Sequence, residues 1–323
     1  MALLVLDEAE VEALLPLTEC IDVMADALAA LARGEVHNPL RFVTRSPDGA
    51  SFMGLMPVHR AGTEPAWALK AICVFPENPR RGLDAHQGAV LLFDGDTGEL
   101  RALLNASAVT AIRTAAVSAV ATRLLAREDA SELAILGAGV QARWHLKAMR
   151  AVRRFERVRI CSRTPEHAEA LASEADAEAV ASAEHAVRGA DVVVTATNSS
   201  SPVLERGWLR PGAHVNAVGA STPTARELDS RTMADAALFV DRRESTVNEA
   251  GDYLIALREG AIAGPEHIRA EIGELVIGAA EGRRSDDELT VFKSLGLAVE
   301  DLAAAEHVFL RARKTGAGTS VSF

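Results

Sequence analysis

Residues 133–142, LAILGAGVQA, constrain the fold of this chain more than any other segment. Gly137, Gly139 and Ala142 match the pattern G-x-G-x-x-G/A, and the match lies between an apolar run and a helical run, as the pattern requires. There the glycines allow a tight turn and a close approach of the backbone to a pyrophosphate, which the helix N-terminus attracts. The segment therefore predicts a dinucleotide site, and the alternative is a tight strand–helix turn without a ligand. The turn residues assigned to the cofactor are Gly137, Ala138, Gly139, Val140 and Gln141.

The chain around this motif alternates between short apolar strands and helical or connecting segments. Such alternation is typical of a parallel, doubly wound sheet in an α/β protein. We therefore predict a Rossmann domain over residues 114–296. Its expected strands are residues 132–136, 157–161, 190–196, 213–218 and 237–241.

The first hundred residues follow a different pattern. Residues 7–34 repeat apolar side chains at helical spacing, and residues 40–75 contain short alternating runs that are typical of strands. AVLLF and ELRALL flank a glycine-containing turn and predict a hairpin. A last helical run, at about 291–314, is expected to pack back on this part. The prediction is an α+β domain, largely antiparallel, made of residues 1–113 and 297–323.

Composition limits the possible partners. The net charge of −11, from 34 basic and 45 acidic residues, argues against nucleic acid, because phosphate binding needs a basic face. A small anionic substrate remains compatible, since one pair of arginines is enough to bind it. The three cysteines are far apart and the histidines lack metal-ligand spacing, so we expect neither a disulfide framework nor a metal. The N-terminus lacks a basic region and no uncharged apolar run reaches about 18 residues, so we expect a cytoplasmic protein without a membrane span.

The second strand of the predicted Rossmann domain, RVRICSRT, bears on the choice of cofactor. An NAD site usually has an acidic residue about 20 positions after the glycine motif, where it binds the ribose 2′-hydroxyl. Here the strand ends in Ser162, Arg163 and Thr164, and an arginine between two hydroxyls suits a 2′-phosphate. We therefore predict NADP(H) in preference to NAD(H). The alternative is that Arg163 is a solvated surface residue.

Several separate segments resemble the ornithine cyclodeaminase/mu-crystallin family, over nearly the whole chain. They are HQGAVLLFDGDTGEL, VTAIRTAAVSAVAT, ILGAGVQA, PGAHVNAVGAS and TVFKSLGLAVED, and they occur in the family's order. VGAS, followed by a proline and then by REL, is similar to the ketimine reductase branch. The resemblance implies a homodimer in which the sheet domain binds substrate and forms the interface. It also implies that substrate and nicotinamide meet in a cleft beside the Rossmann domain.

The resemblance implies roles for three cationic side chains. Arg41 and Arg113 match positions that hold the substrate carboxylate, for which guanidinium groups have the right bidentate geometry. Lys70 matches an active-site lysine. Alternation in AWALKAICVF places Lys70 on one face with Ala68 and Ile72, so burial should lower its pKa toward neutrality and let it give a proton to an imine nitrogen. The alternative for Lys70 is an edge-strand lysine that extends to water.

The resemblance also implies roles for residues with less distinctive surroundings. His86 matches a position near the nicotinamide, although a turn histidine bonded to backbone is an equal alternative. Glu271 is assigned to the substrate. The other residues assigned to the cofactor are Thr114, Thr195, Thr197, Val218, Gly219, Ser294 and Leu295.

The segment HVNAVGAS ends in Ser221, where cyclodeaminases and alanine dehydrogenases of the family carry an aspartate. A serine cannot accept a proton near neutral pH, although it can hydrogen-bond an imine nitrogen. This difference favours the reduction of a ready-made imine, with Lys70 and Ser221 at the reacting atoms. The alternative for Ser221 is a turn residue without a chemical role.

The predicted function is NADPH-dependent reduction of the imine of an α-keto acid, such as pyrroline-2-carboxylate, piperideine-2-carboxylate or an open-chain imine. One alternative is an ornithine cyclodeaminase or an alanine dehydrogenase. An alternative of another class is a nucleotide-binding protein with little catalysis. The presence of Lys70, Arg41 and Arg113 together argues against that last alternative.

Overall fold

The computed structural model describes residues 2–322. The strands in chain order are β1 (Leu3–Leu6), β2 (Val36–His37), β3 (Phe42–Arg45), β4 (Phe52–Arg60), β5 (Ala66–Val74), β6 (His86–Asp94), β7 (Leu100–Asn105), β8 (Glu132–Leu136), β9 (Arg157–Cys161), β10 (Glu178–Ala179), β11 (Val192–Thr195), β12 (His214–Ala217), β13 (Ala237–Val240), β14 (Ile268–Glu271), β15 (Thr290–Lys293) and β16 (Thr319–Val321). The α-helices are α1 (Glu8–Leu14), α2 (Leu17–Ala32), α3 (Ala106–Leu125), α4 (Val140–Val152), α5 (Pro165–Glu174), α6 (Ala183–Val187), α7 (Ser230–Asp235), α8 (Arg243–Glu249), α9 (Gly251–Arg258), α10 (Ile272–Val276) and α11 (Ala298–Thr315).

The chain forms two compact units. Unit 1 consists of the chain up to Arg113 together with the chain from Gly296 onward, and unit 2 is Thr114–Leu295. Unit 1 is therefore built from both ends of the sequence, and α3 contains the first junction. The domain bounds predicted from the sequence include residues 1 and 323, which lie outside the described residues.

The strands of unit 1 form one sheet in the order β16-β1-β7-β6-β5-β4-β2, with β3 also paired to β4. Neighbouring strands are antiparallel except for β1 and β7, which are parallel. Side chains alternate along β5, so that Ala68 and Lys70 are buried whereas Trp67 is exposed on the other face. Helix α11 contacts β4, β5 and β6 and packs beside α2. The expected combination of helices with a largely antiparallel sheet is confirmed.

The strands of unit 2 form a second sheet in the order β10-β9-β8-β11-β12-β15-β13-β14, and its described pairs are all parallel. Every residue of β11, β12 and β13 is buried, as expected for a parallel sheet covered on both faces. The predicted Rossmann-type α/β fold is confirmed, and the predicted strands are present as β8, β9, β11, β12 and β13.

The prediction of a helical run at about 291–314 is wrong for the first residues of that run. Thr290–Lys293 forms β15, which pairs with β12 and β13 and is buried at every residue. Its β-branched and aromatic side chains fit the centre of a sheet, and pairing on both sides outweighs the local helical spacing. Gly296 then takes a φ of 78°, and the helix begins only at Ala298.

Helix α3 is long and apolar enough to cross a membrane by length and composition alone. However, 83% of its apolar window is buried inside the protein. The core helix of a globular protein meets the same two criteria, so α3 is weak evidence for a membrane span.

The N-terminus of α11 is capped from a distant part of unit 1. Its own N-cap residue, Leu297, has no side chain that can accept a hydrogen bond from the first turn. Instead, Oδ1 of the buried Asn38 accepts the backbone N–H of Val299 at 2.8 Å. One of the amide groups that a helix leaves unsatisfied at its start is thereby bonded.

Replacing Asn38 tests this cap. Asn38→Ala should lower the free energy of unfolding by about 1–2 kcal/mol, because a buried amide loses its acceptor. Urea denaturation followed by circular dichroism measures the change. Asp7→Ala is the control, since Asp7 caps α1 at an exposed end where water can take its place, and its effect should be smaller. An Asn38→Ala protein as stable as the wild type would contradict the role of this contact.

Candidate active site

Lys70 lies in the middle of β5, between Met56 of β4 and Val90 of β6. Its side chain is only 2% exposed, so the prediction that it is removed from water is confirmed. The ammonium Nζ lies 3.0 Å from Oδ1 of Asp301 and donates a hydrogen bond to Oγ1 of Thr110 at 3.3 Å. Lys70 is thus a fixed buried cation, and the alternative of an edge-strand lysine that extends to water is wrong.

The surroundings lower the pKa of Lys70 to about 8. Burial is the largest cause, and the positive charges of Arg113 and Arg41 act in the same direction. The carboxylate of Asp301 raises the pKa and partly offsets them. A lysine in this balance is protonated at neutral pH and can release its proton at little cost, which is the property a general acid needs.

Arg113 contacts the first turn of α11 and Gly296 just before it, and Arg41 also contacts Gly296. The buried Arg113 pairs through Nη1 with Oε2 of Glu300 at 2.7 Å and through Nε with Oδ1 of Asp301 at 3.3 Å. Gly296 packs against its guanidinium so closely that a Cβ there would lie 2.3 Å from Nη1. The carbonyl of Gly296 accepts a hydrogen bond from Nη2 of Arg41 at 3.0 Å. Unit 1 therefore brings together the three cationic residues that the sequence singled out.

Glu300 and Asp301 are the residues of this cluster that sequence reasoning missed. They occupy the first turn of α11, where the helix dipole favours acidic side chains. Two acids at a helix start are common for that reason alone. Nothing in the sequence distinguishes them from ordinary helix-start residues, although they close the motif TVFKSLGLAVED.

His86 stands at the first position of β6, opposite Val74 of β5. The residue is exposed, and its backbone carbonyl accepts a hydrogen bond from Oγ of Ser107 at 2.6 Å. Partial desolvation of the ring, followed by the charge of Lys70, lowers the pKa of His86. Its proposed place near the nicotinamide stays a prediction.

In unit 2, the glycine motif has the form that a pyrophosphate site needs. Gly137 takes a φ of 120°, and a Cβ there would lie 2.4 Å from the carbonyl oxygen of Ala196. Gly139 is the N-cap of α4 and provides no side-chain cap. Among the described residues, no atom lies within 4 Å of a Cβ built on Gly139, so there is open space beside this helix start, where an anion would bind. The motif residues fit a dinucleotide.

The end of β9 lies directly beside this turn. β8 and β9 are parallel neighbours, and the amide of Gly137 donates a hydrogen bond to the carbonyl of Cys161 at 2.8 Å. Ser162, Arg163 and Thr164 follow Cys161, and Arg163 is exposed. The amide of Thr164 donates to Oγ of Ser162 at 3.4 Å. The side chains predicted to meet a ribose 2′-phosphate therefore stand next to the glycine motif.

Glu227 organises the ends of two neighbouring strands, β11 and β12. Its buried carboxylate accepts hydrogen bonds from Oγ1 of Thr195 at 2.8 Å and from N and Oγ1 of Thr197 at 2.6 and 2.7 Å. It also accepts the amide of Gly219 at 2.6 Å. The hydroxyls of Thr195 and Thr197 thus bind a side chain of the protein. Their assignment to the cofactor stays a prediction, and Glu227 was not among the residues that the sequence singled out.

A buried ion pair between Asp252 and Lys293 holds the backbone at Glu227. Oδ1 of Asp252 accepts the amides of Glu227 and Leu228 at 2.8 and 2.9 Å. Oδ2 of Asp252 lies 3.0 Å from Nζ of Lys293, and both side chains are completely buried. Lys293 lies in the strand that the sequence predicted as helix, so its place in the sheet could not be anticipated.

The remaining predicted residues lie at different places in unit 2. Thr114 is buried in α3. Val218 and Gly219 follow β12, and Ser221 is exposed two residues further on. Ser294 and Leu295 follow β15 and are buried, and the amide of Leu295 donates to Oδ2 of Asp241 at 2.6 Å.

Glu271 has a structural role that the sequence did not indicate. It is the N-cap residue of α10, and its side chain and that of Glu274 form a capping box. It also accepts the amide of Arg243 at 2.8 Å. These contacts explain why a carboxylate stands at Glu271. A contact between Glu271 and the substrate stays a prediction. Within residues 2–322, no group of three or more His, Cys, Asp or Glu side chains is arranged to hold a metal ion.

The chain is similar to known proteins over most of its length. Residues 1–316 match the model of the ornithine cyclodeaminase/mu-crystallin family. The chain is 42% identical over 288 residues, 88% of each chain, to a ketimine reductase mu-crystallin of Mus musculus. Its structure is similar to that of Thermococcus litoralis Delta(1)-pyrroline-2-carboxylate reductase in complex with NADH and L-proline, with a TM-score of 0.94, 37% identity, and coverage of 98% of this chain and 100% of the other.

A dimeric archaeal alanine dehydrogenase with bound NAD also has a TM-score of 0.94, with 32% identity and full coverage of both chains. These matches extend over almost the whole chain and confirm the resemblance inferred from the sequence motifs. The protein belongs to the ornithine cyclodeaminase/mu-crystallin family.

Proposed function

We propose that the protein reduces the C=N bond of a cyclic or open-chain α-imino acid, with NADPH as the reductant. The family and the reductases that the chain resembles support an oxidoreductase that reduces imines with a nicotinamide cofactor. The buried Lys70 ammonium, grouped with Arg113 and Arg41 in unit 1, supports reduction of an α-imino acid. This group combines a proton donor with the cations that an imino acid carboxylate requires.

In the proposed mechanism, Arg41 and Arg113 bind the substrate carboxylate, and Gly296 fixes the position of both guanidinium groups. Lys70 gives the proton on Nζ to the imine nitrogen while the imine carbon receives a hydride, so that C=N becomes CH–NH. When bound, the reduced nicotinamide supplies that hydride. Thr110 and Asp301 keep Nζ in one place by their contacts at 3.3 and 3.0 Å.

The preference for NADPH rests on the end of β9. The exposed Arg163 stands between two hydroxyl side chains and beside the glycine motif, where an acid would be needed to bind the 2′-hydroxyl of NAD. Two similar proteins have NADH or NAD bound in their structures. The choice between the two cofactors is therefore a proposal for this chain.

Ser221 favours reduction over the alternatives. Deamination or dehydrogenation of an amine requires a group that takes a proton from the substrate nitrogen. Ser221 is exposed at the end of the β12 segment, but its hydroxyl does not act as a base near neutral pH. A substrate that arrives as an imine needs no such base, and Lys70 is sufficient as the proton donor.

We also propose that the protein acts as a homodimer through the face of the unit 1 sheet opposite Lys70. An apolar row crosses four strands on that face, because Pro57, Leu69, Leu91 and Leu103 are cross-strand neighbours. Trp67, which is 46% exposed, extends the row. Apolar surface of this extent on a sheet is typical of an interface, and a similar alanine dehydrogenase is a dimer.

Lys70→Met tests the proton donor. NADPH oxidation at 340 nm with pyrroline-2-carboxylate or piperideine-2-carboxylate should slow by a factor of about 10²–10⁴, while NADPH binding measured by fluorescence persists. In the wild type, kcat/KM should fall as the pH rises through about 8, because the ammonium form of Lys70 in the free enzyme is the donor. Lys314→Met, at an exposed lysine of α11, is the control and should keep full activity. A Lys70→Met enzyme with wild-type kcat would exclude Lys70 as the donor.

Arg163→Ala tests the cofactor preference. The Kd for NADPH should rise about tenfold or more, since a charge-assisted hydrogen bond to phosphate is lost, and the Kd for NADH should change little. Arg157→Ala is the matched control, because Arg157 lies at the other end of β9 and pairs with Glu178. It should leave both Kd values unchanged. Equal weakening of NADPH and NADH by Arg163→Ala would defeat the assignment.

Leu91→Lys tests the interface. A lysine in the apolar row should convert the dimer into a monomer, as measured by sedimentation velocity, because the charge would be buried between two copies. Leu310→Lys serves as the comparison, since Leu310 is 57% exposed on α11. Sedimentation of wild-type protein as a monomer, or of Leu91→Lys as an unchanged dimer, would refute this interface.

A further inference from the structure

Asp301 connects the two cations at the centre of unit 1. Its Oδ1 accepts hydrogen bonds from Nζ of Lys70 at 3.0 Å and from Nε of Arg113 at 3.3 Å. Among residues 2–322 no group donates a hydrogen bond to the other oxygen, Oδ2, which is also buried. One oxygen atom is therefore shared by the proposed proton donor and by one of the proposed carboxylate-binding arginines.

A contribution to stability does not explain why these charged side chains are buried together. Lys70, Arg113, Glu300 and Asp301 are between 0% and 4% exposed, so four charged groups have been removed from water. Ion pairs buried in this way often contribute no more to stability than apolar side chains of the same size. The buried oxygen Oδ2 adds a further desolvation cost. Such a cost is typical of residues that hold reacting groups in place.

The charges that face Lys70 come from several elements. Arg113 belongs to α3, Arg41 precedes β3, and His86 begins β6. Burial of the ammonium and the charges of Arg113 and Arg41 favour loss of the Lys70 proton. The charge of Lys70 in turn lowers the pKa of His86. Asp301, from α11, is the carboxylate that acts in the opposite direction.

We infer that Asp301 is a positioning residue of the proposed reduction, which keeps Lys70 protonated and holds its Nζ beside the guanidinium of Arg113. The inference rests on the proposed function, since it assigns Asp301 a task only if Lys70 is the proton donor. A common anchor at Oδ1 fixes the separation between the group that gives the proton and the group that binds the carboxylate. The carboxylate also favours the return of a proton to Lys70 after each turnover.

The test is the pH profile of Asp301→Asn. The amide keeps the size of the side chain but removes its negative charge, so the pKa of Lys70 should fall further. The decrease in kcat/KM with rising pH should then move from about pH 8 in the wild type to a value lower by about one to three pH units. Asp301→Glu keeps the charge and should restore the profile toward that of the wild type.

Glu300→Gln is the matched control. Glu300 carries the same charge on the same helical turn, but it pairs with Arg113 through Oε2 at 2.7 Å. Its replacement should raise KM for the imine and move the pH profile much less than Asp301→Asn does. If Asp301→Asn cannot be purified in folded form, as judged by circular dichroism and NADPH binding, Asp301→Ser provides the same loss of charge.

The outcomes separate this inference from the proposed function. A wild-type protein that reduces no imine would overturn the proposed function. A wild-type protein that reduces imines, with a folded Asp301→Asn or Asp301→Ser variant whose pH profile is unmoved, would overturn the role of Asp301 alone. A profile that moves equally in Glu300→Gln would also overturn it, because any nearby carboxylate would then suffice.

Discussion

The first turn of α11 is the element on which the charged site of unit 1 depends. A helix N-terminus carries partial positive charge and unsatisfied amides, so it stabilises acidic side chains in its first turn. Glu300 and Asp301 occupy that turn, and from it they reach Arg113 and Lys70. Asn38 supplies the missing cap from a segment far away in the sequence. Lys70 of β5 and Arg113 of α3 thus provide the cations, and the helix start provides the anions that orient them.

Unit 2 uses a buried carboxylate for a different purpose. Glu227 binds groups at the ends of β11 and β12, and Gly219 fits there because a Cβ would lie 2.0 Å from the carbonyl oxygen of Thr197. Burial raises the pKa of Glu227, whereas the charge of Lys293 and the hydrogen bonds of Thr197 lower it. The loops at these strand ends are therefore held by hydrogen bonds from the protein interior, and a rigid edge results.

The sequence predicted the parts of this protein that depend on local pattern. Alternating βα segments identified the Rossmann strands, and alternation within β5 predicted the burial of Lys70. The partners of Lys70 and Arg113 were not predictable, because Asp301 meets Lys70 across 231 positions of the chain. For the same reason the helical run predicted at about 291–314 begins too early, since the place of Thr290–Lys293 between β12 and β13 is decided by tertiary pairing. Local spacing carries no record of such long-range contacts.

The division of unit 1 between the two ends of the chain affects how the protein is made. A ribosome completes β5, α3 and the whole of unit 2 before it reaches α11. Throughout that time Lys70 of β5 and Arg113 of α3 lack their carboxylate partners. Two like charges without partners are costly to bury. The last-synthesised helix supplies the neutralising charge, and a chain that ends before Ala298 would be left without it.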